Sequence, residues 1–105
     1  MSPDFQVKVR HNEANSRFEV DLGDGLALAA YHLMPGKIAF THTEVPSAHE
    51  GQGIGTMLIR AGLAHARNRG LKVIPSCRFF AVYMKKHPEV HDLLPAEQQE
   101  RLGLN

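Results

Sequence analysis

The chain has 105 residues, with 12 Lys and Arg against 11 Asp and Glu, and 43% of its residues are hydrophobic. That length allows one domain over residues 1–105 with a single core, and the net charge of +1 hides an uneven distribution along the chain. A lone cysteine excludes an internal disulfide, and neither a signal peptide nor an apolar run of about 18 residues stands out, so a cytoplasmic protein is expected.

Residues 5–9 alternate in period two, residues 11–15 read as a turn, and residues 18–22 alternate again before Gly23-Asp24-Gly25. Residues 26–34 and 37–45 flank Pro35-Gly36, which predicts a hairpin and an antiparallel meander across the first half. Beyond it, Ile54, Met57, Leu58, Ala61 and Ala64 recur at helical spacing up to Gly70, a C-terminal cap. A strand over 71–74 completes a βαβ unit whose strands should be parallel. A second helix over about 78–87 stops at Pro88, and residues 95–102 offer a short third one.

Between strand and helix lies Glu50-Gly51-Gln52-Gly53-Ile54-Gly55. Glycines there permit positive φ and close approach of backbone to ligand. The first amides of the following helix have no intrahelical acceptor, so an anionic ligand is the natural partner. A P-loop is excluded because no Lys follows Gly55. A dinucleotide fingerprint is excluded because the third glycine comes one residue early and the next strand runs into Pro75-Ser76-Cys77 without an acid. Charge agrees with an anion: from Gly51 to Pro88 there are seven basic residues, Arg60, Arg67, Arg69, Lys72, Arg78, Lys85 and Lys86, and no acid. Nucleic acid suits the same field, yet Phe79, Phe80 and Tyr83 fall within an apolar helix pattern and form no stacking platform.

Other residues carry chemistry. Alternation along 37–45 places Ile38, Phe40, His42 and Glu44 on one face, the apolar pair marks that face as buried, and His42 and Glu44 extend it towards the strand's C-terminal end. There they serve either as a general base or as a hydrogen-bonded pair at the core's edge. The remaining histidines, at 11, 32, 49, 65, 87 and 91, have no ligand spacing, and no metal is expected. Cys77 opens a helix beside Arg78, a setting that suits either a reactive thiol or a small buried side chain. Tyr83 lies six residues further on, and by pattern alone it belongs to the core.

Glu50, Gly53 and Gly55 resemble motif A of the GNAT-type N-acetyltransferases, Gln/Arg-x-x-Gly-x-Gly/Ala, with Glu50 standing where the superfamily usually has Gln or Arg. Pro75-Ser76-Cys77-Arg78, Ala81-Val82-Tyr83-Met84-Lys85-Lys86-His87-Pro88 and the strand from Phe40 to Pro46 are similar to the minimal, YjdJ-type branch, so the resemblance covers about residues 38–93. It implies an α/β GNAT-like mixed sheet, an antiparallel four-strand meander plus a parallel fifth strand, with two main helices and a short C-terminal one. It further implies acetyl-coenzyme A as co-substrate and a primary amine, small molecule or protein, as acceptor. The coenzyme would lie against Thr43, Val45, Glu50, Gly51, Gln52, Gly53, Ile54, Gly55, Thr56, Lys85 and Lys86. His42 or Glu44 would be the base, Tyr83 the acid, and Cys77 would neighbour the thioester or take the acetyl group itself. A coenzyme A-binding regulator without turnover and, behind it, a nucleic-acid-binding module are the competing expectations.

Overall fold

The structure, a computed structural model, describes residues 8–104. Alternating segments in the first half form a meander of β1 (Val9–Asn12), β2 (Arg17–Asp21), β3 (Leu26–Met34) and β4 (Lys37–Glu44), each antiparallel to the one before. Gly36, at φ 73°, closes the tight turn between β3 and β4, a conformation that favours glycine. Then come α1 (Ile54–Arg69), β5 (Lys72–Pro75), α2 (Arg78–Lys86) and α3 (Ala96–Arg101). The sheet has five strands in sequence order, with β5 parallel to β4, as expected of a GNAT-like α/β fold.

Two local expectations change. His11 and Asn12 extend β1 instead of turning, paired with Phe18 and Arg17. The reversal waits for the 3₁₀ turn Glu13–Asn15, where the Asn12 side chain caps the Asn15 amide at 3.2 Å. Residues 5–7 of the expected first strand lie outside the described residues. The second change is a β-bulge in β4. Tyr31 pairs with Phe40 and Ala30 with His42, so Thr41 is an extra residue without a partner. It inverts the alternation. His42 and Glu44 therefore leave the face of Ile38 and Phe40 and stand opposite Ala30 and Leu28, largely exposed, while Thr43 moves to the core face opposite Ala29.

The core lies on one side of the sheet. Phe18, Val20, Ala29, Tyr31, Ile38, Phe40 and Val73 pack against Leu58, Ile59, Leu63 and Ala66 of α1 and Phe80 and Met84 of α2. Phe40 and Phe80 stack with centroids 4.1 Å apart, and each fully buried ring contributes about 2–3 kcal/mol of transfer free energy. On the other side, Glu19 is only 2% exposed, and its carboxylate accepts from Arg10, Arg17 and Asn12. These three donors hold its pKa down to about 2.

Pairing of β4 with β5 covers only Lys37–Phe40 against Lys72–Pro75. Pro75 has no amide to continue the ladder. Cys77 then donates its amide to the Phe40 carbonyl at 2.8 Å as the chain turns into α2. From Thr41 onward the two strands part, and a cleft opens beside the end of β4.

Candidate functional site

A cleft of about 510 Å³ occupies this opening, lined by Thr43, Val45, His49, Glu50, Gly51, Gly53, Ile54, Gly55, Thr56 and Phe79. Its floor follows from the glycine segment. Gly51 and Gly53 have φ of 84° and 81°, a region that L side chains enter only with strain, and they bring the chain round from the 3₁₀ turn Ser47–His49 into α1. The first intrahelical bond runs from the Met57 amide to the Gly53 carbonyl. The amides of Ile54, Gly55 and Thr56 are left without an acceptor, and no side chain caps the helix. No acid sits in that first turn. Uncapped amides, the dipole behind them and partly buried surroundings suit a phosphate or pyrophosphate group.

Gly55 has a different reason to be glycine. A Cβ there would fall 2.2 Å from Cε2 of Phe79, so Gly55 exists for the close approach of α2 to α1, whereas Gly53 exists for its φ. Phe79 is 46% exposed and forms one wall of the cleft.

Cys77 caps the N-terminus of α2, and its Sγ lies 3.4 Å from Oγ1 of Thr43, which the bulge has turned to this side. The thiol is thus half-buried behind the cleft wall. His42 and Glu44 are hydrogen-bonded to each other on the opposite face of the same strand, both more than half exposed. One strand therefore carries alternate residues to two surfaces, Thr43 and Val45 towards the cleft and His42 and Glu44 away from it.

The structure does not bring every expected residue together. The Tyr83 hydroxyl accepts from Nε of Arg60 at 3.3 Å, its ring stacks on His87, and it lines a separate groove of about 240 Å³ with Arg60, Leu63, Ala64, Arg67, Asn68 and Val90. Lys85 and Lys86 occupy the last turn of α2, outside the cleft lining. The Gln52 side chain turns to His49. Two cleft residues were missed by sequence reasoning. Phe79 was hidden in an apolar helix pattern, and His49 was set aside for want of ligand spacing. The partner of His49 is 25 positions away, so no local signal could have revealed it.

His49 Nε2 lies 2.9 Å from Oδ1 of Asp24 in the turn between β2 and β3, and Nδ1 lies 3.0 Å from Oε1 of Gln52. The Asp24 hydrogen bond, then that of Gln52, raises the His49 pKa above its ordinary value, and the same bond to His49 lowers that of Asp24.

The mixed five-strand fold agrees with what comparison with known proteins returns. The model of the GCN5-related N-acetyl-transferase family matches residues 17–93, most of the chain. The chain belongs to that family. Among curated relatives, Protein NATD1 of Xenopus tropicalis is 29% identical over 91 residues, 84% of either chain. Protein NATD1 of Mus musculus is 31% identical over 85 residues, 78% of this chain and 77% of that one, and the Homo sapiens protein of the same name is 31% identical over 78% of this chain and 75% of its own. The family match spans β2 to the 3₁₀ helix Pro88–Leu93 and so includes the glycine segment, the cleft and Cys77.

Proposed function

We propose that this acetyltransferase-family domain transfers an acetyl group from acetyl-coenzyme A to a primary amine. The observation that carries the reading is the cleft where β4 and β5 part, floored by three uncapped amides at the start of α1. The pyrophosphate would sit on those amides, and the pantetheine arm would run along the free edge of β4 near Thr43 and Val45, towards Cys77. The acceptor would approach from the other face of β4. There the His42–Glu44 pair takes the ammonium proton, so that the free amine attacks the thioester carbonyl carbon. As the carbon–sulfur bond breaks, the attacking nitrogen gives up its extra proton to solvent and the departing thiolate takes up a proton. Resemblance assigns that proton to Tyr83, whose hydroxyl rests on Arg60 in this structure, so the role requires the ring to turn. Replacing Tyr83 with Phe should then cost about 10²-fold in turnover. Replacing Cys77 with Ala should reduce activity without abolishing it, and an acetyl adduct on Cys77 together with parallel double-reciprocal lines would instead make it the nucleophile.

The first test is binding. Acetyl-coenzyme A at about a hundredfold excess over its Kd should stabilise the fold by about 2.7 kcal/mol, which for a domain of this size raises Tm by on the order of 10 °C. An unchanged Tm, or an equal rise with sulfate, refutes the coenzyme site. Binding without thiol release in the presence of amines would leave a regulatory coenzyme A-binding module in place of an enzyme.

A further inference from the structure

We propose that His49, as an imidazolium held between Asp24 and Gln52, is the positioning residue of the glycine segment and makes acetyl-coenzyme A affinity fall as pH rises. The inference rests on the coenzyme reading above and adds the group that regulates the site.

Three observations support it. First, His49 lines the cleft and sits four residues ahead of Gly53, in the segment that leads into the amides of the floor. Second, it links segments distant in sequence. One ring nitrogen reaches Asp24 in the β2–β3 turn, and the other reaches Gln52, which stands between the two positive-φ glycines. The space a Cβ would take at Gly53 is open, so no side chain of the loop's own glycine braces this turn. The β2–β3 turn also approaches the strand exit at Gly25, where a Cβ would lie 3.2 Å from Cγ of Pro46, so Asp24 is anchored against the same corner. Third, both ring nitrogens face oxygen atoms, an arrangement that a ring donating at both positions satisfies as it stands, whereas a neutral ring satisfies it only once the Gln52 amide turns its NH2 towards Nδ1.

Charge sets the direction. Glu50 lines the cleft and opposes an anion, and Asp24, hydrogen-bonded to the cleft residue His49, is a second acid close by. While His49 is protonated, it neutralises one of them. Deprotonation adds a net negative charge beside the phosphate site and removes a donor, which loosens the loop at Gln52 at the same time. The groups that act on His49 are Asp24 from the β2–β3 turn and Gln52 from its own loop; among the described residues no other charged group shifts it.

Calorimetric titration of acetyl-coenzyme A from pH 5.5 to 9 tests the proposal on the wild type, His49→Gln and Asp24→Asn, with the imidazole of His49 followed by NMR in parallel. The wild type should lose about tenfold in affinity across the titration of His49, the scale of one charge-assisted contact. His49→Gln should lack that step, and Asp24→Asn should move it to lower pH together with the NMR midpoint. A purely structural tie would lower affinity equally at every pH. Superimposable profiles for wild type and His49→Gln, or a His49 midpoint that Asp24→Asn does not lower, overturn the proposal while the coenzyme site stands. Absence of acetyl-coenzyme A binding at every pH overturns both, and the NMR midpoints still report whether the ring is held as described.

Discussion

Two glycines of the same loop separate two kinds of constraint. At Gly53 the backbone is left-handed, so Gly53→Val places a β-branched side chain in a conformation costing about 1–2 kcal/mol and displaces the loop amides. The protein should remain folded and lose measurable acetyl-coenzyme A binding in calorimetry. At Gly55 the obstacle is the outer edge of the Phe79 ring, which is half-exposed, so its displacement uncovers little of the core. Gly55→Ala should therefore change the urea midpoint little but lower affinity, because the displaced ring is a wall of the cleft; unchanged affinity would show that Phe79 does not shape the site. The sequence made the loop legible, because glycine spacing reports backbone freedom directly. It left the two reasons for glycine indistinguishable, since the one at Gly55 depends on a ring 24 positions away that only tertiary packing brings close.

At the level of elements, α1 carries the tightest packing. A Cβ on Gly62 would lie 2.8 Å from two atoms of Phe40 and 3.4 Å from Phe80. Those two rings are stacked and fully buried, so they cannot give way. Helix propensity favours Ala over Gly by about 1 kcal/mol, whereas overpacking a closed core costs about 1–3 kcal/mol. Gly62→Ala should therefore destabilise the protein in urea unfolding despite its better propensity, and a stabilised variant would mean that α1 can slide on the sheet. Periodicity placed the helix after the glycine loop and the strand at 71–74, and the structure has them as Ile54–Arg69 and Lys72–Pro75. Strand faces were readable only as far as the bulge. Period two assumes a continuous ladder, and Thr41 breaks it with no glycine or proline to announce the break, its hydroxyl reaching the Ala30 carbonyl at 3.4 Å.

For the whole molecule, ionisable groups away from the cleft set the acid limit. His65 packs against His11 and Phe18, with the His11 and His65 rings 4.5 Å apart. Burial first, then the neighbouring His11 and Arg69, lowers its pKa below the ordinary 6.5. The unfolded chain therefore takes up this proton more readily, and stability should fall as pH drops below about 6.5 and level off once the folded ring also titrates. Glu19 acts lower. Its pKa falls from 4.5 to about 2, so its contribution is complete above pH 4.5 and is lost as pH falls through about 2. His49, whose pKa is raised, contributes with the opposite sign in the upper window, so the test is the difference between proteins: urea midpoints of His65→Phe relative to wild type should rise as pH drops below about 6.5, and a difference independent of pH would contradict the His65 assignment. Among the described residues, no helix is long and apolar enough to cross a membrane. Finally, the inserted Thr41 affects the order of events on the proposed reaction path. Because Thr43 and His42 point to opposite sides of β4, coenzyme and acceptor would each have a door of their own, and neither would block the other's exit. Product inhibition should then follow a random-order pattern, and compulsory order would mean that one substrate first builds the doorway of the other.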